Sequence, residues 1–479
     1  MRRIPKSRLF LFLAFTVLAV TIYTVIRHQF TPPVEGASEL EVVEELYTLI
    51  GEQSVYEMDS KTLVEGALRG MASAIDDPYS TYYSKEEAAI QKASLSGEKV
   101  GIGVELSEKN GKFLIISPVK SSPAEKAGIR PYDEIIQIND VRLDGKTMGE
   151  VMKLMQGKAG EEVALVLYRP SLERHIKVVV ERAEMKNDTI DSEIVEVEGV
   201  QIGHITIKLF AENTVEQWLE ALSDLVEKDI EALIVDVRDN PGGYLHSVAG
   251  ILSSIGEGNK TFAYMQDANG HLQPVQTVKV EGLEELNKAV RKMPLVVLQN
   301  EGSASASEVF SAAMQSWDTG TLVGVTSFGK GTVQESWNLE NGGQVKLSTN
   351  KWLTPKEIWI HGKGVKPDVE AVQHPLYGIE FVPVRGHFEV GDFSEEVAYA
   401  QKVLHAFGFQ IVRQDGYFDE TTQEAVIHFR ERYDLDDGEV LDELFFEKMQ
   451  EQVALYKSKK ENDQQLQMGI SFLMHALGH

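Results

Sequence analysis

Residues 300–334 read NEGSASASEVFSAAMQSWDTGTLVGVTSFGKGTVQ. The run just before them, Pro294 to Gln299 (PLVVLQ), is short and apolar, as a buried strand would be. Small residues follow from Gly302 to Ser307, and a helical pattern runs from Glu308 to Trp317. A strand, a sharp turn of small residues and a helix start make a natural seat for a nucleophile. The turn exposes a side chain, and the unpaired N–H groups of the first helical turn face an incoming negative charge. Ser303, Ser305 and Ser307 all compete for the role. Downstream, Lys330 stands between Gly329 and Gly331, with Gln334 shortly after.

A serine hydroxyl needs a base before it can attack, and a buried neutral lysine can serve. An ordinary lysine titrates near about 10.4, so desolvation has to bring it close to 7, at a cost of about 4–5 kcal/mol. Glycines on both sides of Lys330 allow close backbone packing and the exclusion of water. Taken singly, a small-residue turn before a helix is an ordinary turn, and GKG is an ordinary loop.

Together, SASASEVF and TSFGKGTVQ resemble the carboxyl-terminal processing proteases, serine peptidases of the tail-specific type. The resemblance covers roughly Glu39 to Val372. It implies that the nucleophile is the middle serine of SASASE and that the base is the lysine of FGKG. Counting back from Lys330 by the 25 positions that separate the two in that family reaches Ser305. It further implies that Gln334, the glutamine of GKGxxQ, orients Lys330.

The chain has 479 residues, enough for three or four domains, and 43% of them are hydrophobic, which fits sizeable cores. A net charge of −27 argues against nucleic acid as a partner. There is no cysteine, which excludes disulfides and thiolate metal sites and suits an oxidising compartment. Leu9 to Ile26 is an uncharged, mostly apolar run preceded by Arg2, Arg3, Lys6 and Arg8, with no acid before Glu35. This positive-inside pattern predicts a single membrane anchor within residues 1–30, with everything after it outside the cytoplasm. No small-x-small cleavage site follows the run, so an uncleaved anchor is favoured over a signal peptide. Thr31 to Ser38 reads as a linker.

Residues 39–92 begin with a helical period at Leu40, Val43, Leu46, Tyr47 and Ile50, and a second helix capped by Asp59-Ser60 follows. The pair is too small to stand alone. The family resemblance makes it a place where two subunits meet, so a homodimer is expected. Residues 96–184 resemble a PDZ domain through VGIGVEL, SPA, AGI and DEIIQIND. Such a domain captures a free chain end as an added strand, with backbone N–H groups holding the carboxylate. Gly101 and Gly103 open the loop, Ile102, Gly103 and Val104 supply the donors, and Val151 and Met155 line the groove. Arg169 is a candidate for coupling this domain to the protease core.

Residues 190–380 read as an α/β core, of the crotonase-like kind that the resemblance implies. The buried strand Ala232 to Val237 ends in Arg238-Asp239-Asn240-Pro241-Gly242-Gly243. In the family this loop forms half of the oxyanion hole. The donors would be the N–H of Gly242 or of Gly243, and that of Ala306. Asp236 and His246 flank the loop, but none of the twelve histidines stands in a triad context, and no histidine–carboxylate spacing suggests a metal. No cofactor is expected. Residues 390–455, with LHAFGF and DGYFDETTQEAVIHF, resemble a three-helix peptidoglycan-binding module. It either holds a cell-wall glycan or serves for packing or oligomerisation. Residues 456–479 read as a charged, then apolar helical tail, frayed or docked on a partner chain.

The expected protein is thus a multidomain α/β serine endopeptidase. A helical segment, a β-barrel-like PDZ domain, the protease core and a small helical domain stand in that order. Its substrates are proteins with free carboxyl-terminal tails, and relatives in spore-forming bacteria imply a regulatory role. The alternative is a wall-bound PDZ scaffold that no longer cuts.

Overall fold

A computed structural model describes residues 39–479, apart from 96–97, 110–111, 119–121, 131–132, 147, 170–173, 187, 257, 279–282 and 380–385. The anchor expected at Leu9 to Ile26 lies outside the described residues, among which no helix is long and apolar enough to cross a membrane. The chain divides into two units, one ending at Ser84 and one beginning at Lys85.

In the first unit, helices α1 (Glu39–Gln53) and α2 (Ser60–Ser73) precede the short strand β1 (Thr81–Tyr83). Asp59 caps α2 by accepting from the N–H of Thr62, as its place before the apolar period predicts. The apolar positions of α1 stay open to solvent: Leu40, Val43, Leu46 and Tyr47 are all exposed.

The second unit opens with α3 (Lys85–Leu95) and the strand β2 (Glu98–Gly101). Strands β3 (Val104–Lys109) and β4 (Lys112–Pro118) and the short helix α4 (Pro123–Lys126) come next. They are followed by β5 (Glu134–Ile138), β6 (Val141–Arg142), helix α5 (Met148–Met155), β7 (Glu162–Arg169), β8 (Arg174–Glu181) and β9 (Ala183–Lys186). The sheet order is β3-β4-β5-β7-β8, with β6 on β5 and β2 paired to β9. Alternation in β7 buries Val163, Leu165 and Leu167 against Phe113, Ile115, Ile135 and Val151.

The α/β core starts with β10 (Ile190–Val197), β11 (Val200–Ile207), α6 (Thr214–Glu227), β12 (Ala232–Asp236) and α7 (Leu245–Ile255). Strands β13 (Thr261–Gln266) and β14 (Leu272–Gln276), helix α8 (Glu284–Val290), β15 (Leu295–Gln299), α9 (Ala306–Ser316) and β16 (Thr321–Gly324) follow. It closes with β17 (Thr332–Asn338), β18 (Gln344–Leu353) and β19 (Val369–Glu370). The main sheet runs β10-β11-β12-β15-β16-β19, parallel from β11 to β19, with β10 antiparallel at the edge. Strands β18-β13-β14 lie together in a second sheet, and β17 pairs with β18.

Both faces of the main sheet are apolar. Leu233, Val235, Val297 and Leu322 point to one side, where Trp218, Leu222, Ile251, Phe310 and Met314 from α6, α7 and α9 cover them. Their strand neighbours Ala232, Ile234, Val296, Leu298 and Val323 point to the other side.

The carboxyl-terminal helices are α10 (Glu395–Ala406), α11 (Glu420–Arg432), α12 (Glu443–Ser458) and α13 (Gln464–Leu477). The first three, capped by Ser394, Asp419 and Asp442, enclose Val397, Leu404, Phe418, Phe429, Phe445 and Phe446. The fourth behaves differently from the frayed or partner-bound tail expected of it. Leu466, Ile470, Leu473 and Met474 of α13 pack on the second face of the main sheet. Gly469 brings the helix so near β15 that a Cβ there would stand 3.2 Å from Leu298 and Val296. Each of the four side chains contributes roughly 1.5–3 kcal/mol on burial. A bare parallel sheet face demands a cover, and residues 464–477 supply it.

Candidate active site

The turn between β15 and α9 separates the three serines. Ser303 and Ser307 are fully buried, and their hydroxyls donate to Val237 O (2.8 Å) and Asn240 O (2.9 Å). Ser305 alone is partly open. Its backbone stands at φ 55°, ψ −111°, a region non-glycine residues rarely occupy. Strain of about 1–3 kcal/mol persists only where the surroundings over-determine the turn, and it gathers at functional sites.

The group that over-determines it is Glu308, in the first turn of α9 and without exposed surface. One oxygen, Oε2, accepts the N–H of Ser305 and the N–H of Lys330, each at 2.8 Å. The other, Oε1, accepts the N–H of Gly329 and the hydroxyl of Ser327, each at 2.6 Å. The serine turn and the lysine loop therefore meet on a single carboxyl group.

Lys330 is held from its other side too, since Trp352 Nε1 donates to its carbonyl at 2.8 Å. The flanking glycines are needed for close approach. A Cβ on Gly329 would lie 3.0 Å from backbone nitrogens of Lys363 and Gly364, and one on Gly331 would lie 2.8 Å from His361 N and Trp359 Nε1. His361 accepts the N–H of Gly331 (3.3 Å) and stacks on Trp359, which gives it a structural task. Gln334 follows a bulge in the β17–β18 pair. Its amide nitrogen donates to Thr332 Oγ1 (3.0 Å) and Ser348 Oγ (3.1 Å).

The loop after β12 lies against the serine turn. A Cβ on Gly242 would stand 2.8 Å from Ala304 O, 2.9 Å from Ala306 N and 3.0 Å from Ser305 Cβ. Asn240 fastens the two segments: its side chain donates to Ile207 O (2.6 Å), and its carbonyl accepts the N–H of Ala304 (3.0 Å). The N–H of Gly242 is used up on Asn240 Oδ1 (2.9 Å). The N–H groups of Gly243 and Ala306 have no acceptor among the described residues. The geometry thus separates two glycines that the sequence leaves equivalent.

Behind this loop lies a charged cluster. Arg238 donates through Nη2 to Asp236 (2.6 Å) and Asp463 (2.9 Å), and through Nη1 to Asp463 (2.8 Å). His204 Nδ1 is 3.3 Å from Glu193, and Nε2 is 3.4 Å from Asp236 without hydrogen-bond geometry. Burial opposes charge on Asp236, but the guanidinium of Arg238 outweighs it and lowers the carboxyl below its usual range. For His204 burial favours the neutral ring, and Asp236 and Glu193 outweigh it, so its pKa is raised. Glu193, bonded to His204, falls to about 2 despite some burial.

Residues 201–371 match peptidase family S41. Residues 23–87 match the N-terminal domain of the activating protease CtpB, 114–169 a PDZ domain, and 393–449 the domain described as a putative peptidoglycan binding domain. The chain is 36% identical to the carboxy-terminal processing protease CtpB of Bacillus subtilis over 92% of its own length and 90% of that protein's. It is 33% identical to CtpA of the same organism, over 91% of each chain. The chain belongs to the carboxy-terminal processing proteases. It is a serine peptidase with a PDZ domain.

In the PDZ domain of this processing protease, Gly103 takes a positive φ of 78° between β2 and β3. The N–H groups of Ile102 and Gly103 have no acceptor among the described residues, while Ile102 O accepts from Ala124 and Gly103 O from Ser122 Oγ. Gly101 and Val104 end and begin the adjoining strands. Val151 and Met155 lie in the domain's own core, Val151 with no exposed surface, and not on an open groove wall. Arg169 is committed inside the domain, donating to both oxygens of Asp133 (2.7 Å each) and to Gly128 O (2.8 Å).

Sequence reading missed Glu308 and the partners of Arg238. Glu308 carries a signal, because serine followed three positions later by glutamate is the capping-box pattern. The Arg238–Asp463 pair spans 225 positions and carries none.

Proposed function

We propose that this processing protease is an extracytoplasmic endopeptidase that cuts with Ser305 as nucleophile and Lys330 as general base. The observation that carries the reading is the shared carboxyl of Glu308, which ties the backbones of both residues to one atom. Ser305 Oγ attacks the peptide carbonyl as its proton passes to Lys330 Nζ. The N–H groups of Gly243 and Ala306 receive the oxyanion, as unpaired donors aimed at developing charge should. Lys330 then gives the proton to the leaving amine, and water hydrolyses the acyl-enzyme. The amide oxygen of Gln334 holds the lysine.

The PDZ loop at 101–104 takes the free carboxyl end of a protein substrate. Residues 9–26 anchor the chain in the cytoplasmic membrane with the catalytic part outside. The open apolar stripe of α1, Leu40, Val43 and Leu46, is the contact between two copies. Exposed Phe393 and Tyr417, with Arg413 stacked 4.6 Å over the Tyr417 ring, give the 390–455 domain an aromatic surface for a cell-wall glycan. The resemblance to processing proteases of spore-forming bacteria supports a regulatory cleavage, in sporulation, as the biological setting.

Cleavage of an unfolded reporter with an apolar carboxyl-terminal tail tests the chemistry. The wild-type chain cuts it, Ser305→Ala and Lys330→Arg do not, and Ser303→Ala and Ser307→Ala retain activity. Arginine stays charged at any usable pH, so an active Lys330→Arg enzyme would remove lysine from the mechanism.

A further inference from the structure

The loop that carries Gly243 is conformationally expensive. Asp239, Gly242 and Gly243 all stand at positive φ (56°, 107° and 134°). Three successive side chains hold it. Asn240 reaches Ile207 O. Asp239 accepts from Asn300 Nδ2 (2.8 Å), whose Oδ1 takes the N–H of Asp239 in return (2.9 Å). Arg238 is held by the strand end at Asp236 and by Asp463. The first two anchors come from within the protease fold. The third comes from beyond the three-helix domain.

Asp463 is itself tightly placed. It caps α13 by accepting the N–H of Leu466 (3.0 Å), and Gln373 Nε2 donates to the same oxygen (2.7 Å). Gln465 adds an acceptor for Arg238 at 3.3 Å and donates to Ala371 O (3.0 Å). Asp463 is 9% exposed, so the ion pair is shielded from solvent screening. Burial opposes its charge, and the hydrogen bonds from Arg238 overcome that and lower its pKa.

We propose that Asp463, at the start of α13, is a positioning residue for peptide cleavage: it clamps Arg238 and so fixes the loop that presents the Gly243 N–H to the oxyanion. Residues 463–477 are then part of the active-site scaffold. The step they support is the one in which negative charge forms on the carbonyl oxygen, so their loss acts on turnover more than on substrate capture. The proposal rests on the oxyanion role given above to Gly243.

The test is Asp463→Ser in the full chain. Serine still caps a helix but is too short to reach the guanidinium. Three quantities are read: kcat and KM on the tailed reporter, the melting temperature, and amide exchange of the segment 236–243. The clamp predicts a fall in kcat of about tenfold or more, as for a weakened oxyanion donor. KM should stay within about twofold. The melting temperature should fall by only a few degrees, because Arg238 keeps Asp236, and 236–243 should exchange faster. Asp463→Asn, which keeps the reach and loses the charge, should fall between serine and wild type. An unchanged kcat overturns the proposal whatever the exchange does. A fall in kcat matched by a fall in the folded fraction overturns it too, because that is loss of fold. If the wild-type chain itself does not cut, the Ser305–Lys330 reading fails. Exchange at 236–243 then decides the clamp by itself, and unchanged exchange sinks it.

Discussion

Two regions of this protease leave backbone N–H groups unpaired among the described residues, and they are held in opposite ways. The loops around Ser305 and Gly243 are fixed by buried side chains: Glu308, Asn240, Arg238 and Trp352 each bond backbone or charge at short range. The PDZ loop at 101–104 is held more lightly, by one hydroxyl and one backbone bond to its carbonyls. A transition state lasts no time in which the protein can adjust, so its donors must already be in place. A captured chain end arrives as a strand and brings its own hydrogen bonds, so the loop that takes it can settle around it.

If that contrast is right, the largest loss should come from moving the protease loop. Gly242→Ala places a Cβ within 2.9 Å of Ala304 O and Ala306 N. It should cost about 10²–10³ in kcat, the size of a lost oxyanion donor. Single-turnover rates with a reporter peptide check this, and a Gly242→Ala enzyme at wild-type speed would show that the two loops are not in register as described.

Glu308→Gln comes next. Each carboxyl oxygen accepts two donors, so whichever way the amide turns, its NH₂ meets at least one N–H head-on. An unsatisfied buried N–H costs about 1–3 kcal/mol, which predicts a fall of about 10- to 100-fold in kcat. KM should be little changed, because neither loop that Glu308 joins belongs to the PDZ domain.

The PDZ loop should give the reverse split. Gly103→Ala asks alanine to hold φ 78°, a strain of roughly 1–2 kcal/mol. KM for a tail-dependent substrate should rise about tenfold, while a short untailed peptide is cut at the wild-type rate. Equal losses on both substrates would erase the distinction between the loops.

The smallest effect is electrostatic. His204 has a raised pKa in the folded chain. Its contribution to stability is present below the unfolded value near 6.5 and is lost as pH rises through the folded value. Wild type should therefore lose melting temperature on going from about pH 6 to pH 8.5, and His204→Gln should lose less. Asp236 and Asp463, both lowered, act in the opposite window: their contribution is lost as pH falls below the ordinary carboxyl range. A His204→Gln profile parallel to wild type would detach His204 from the cluster.

The family and the meeting of the Ser305 turn with the Lys330 loop were legible because the words that carry them are local. SASASEVF and FGKG are contiguous words, and β12 and β15 announce themselves as runs of four apolar residues closed by one polar residue. The PDZ loop was legible for the same reason. The choice between Gly242 and Gly243 was not, since it depends on where the Asn240 side chain points. Nor could the apolar stripe of α13 say what it covers: Leu466, Ile470 and Leu473 have the helical period of any packed helix. The sheet face they meet is built from residues between Val200 and Ala371. Val151 and Met155 were placed on a groove by analogy of position, while their apolar nature drew them into the core.

The docking of α13 also sets an order in time. A ribosome makes this chain from residue 1 onward, so the PDZ domain, the parallel sheet and the three-helix domain all exist before Asp463 is made. Until then one face of the sheet has no cover and Arg238 lacks one of its two carboxyl partners. If Asp463 clamps Arg238 as proposed, a nascent chain still emerging cuts poorly. On the clamp reading, an early stop or frameshift between the three-helix domain and residue 463 leaves the serine, the lysine and the glycines intact but the loop that carries Gly243 less firmly held. On the clamp reading, competence comes only after residues 463–477 have been made.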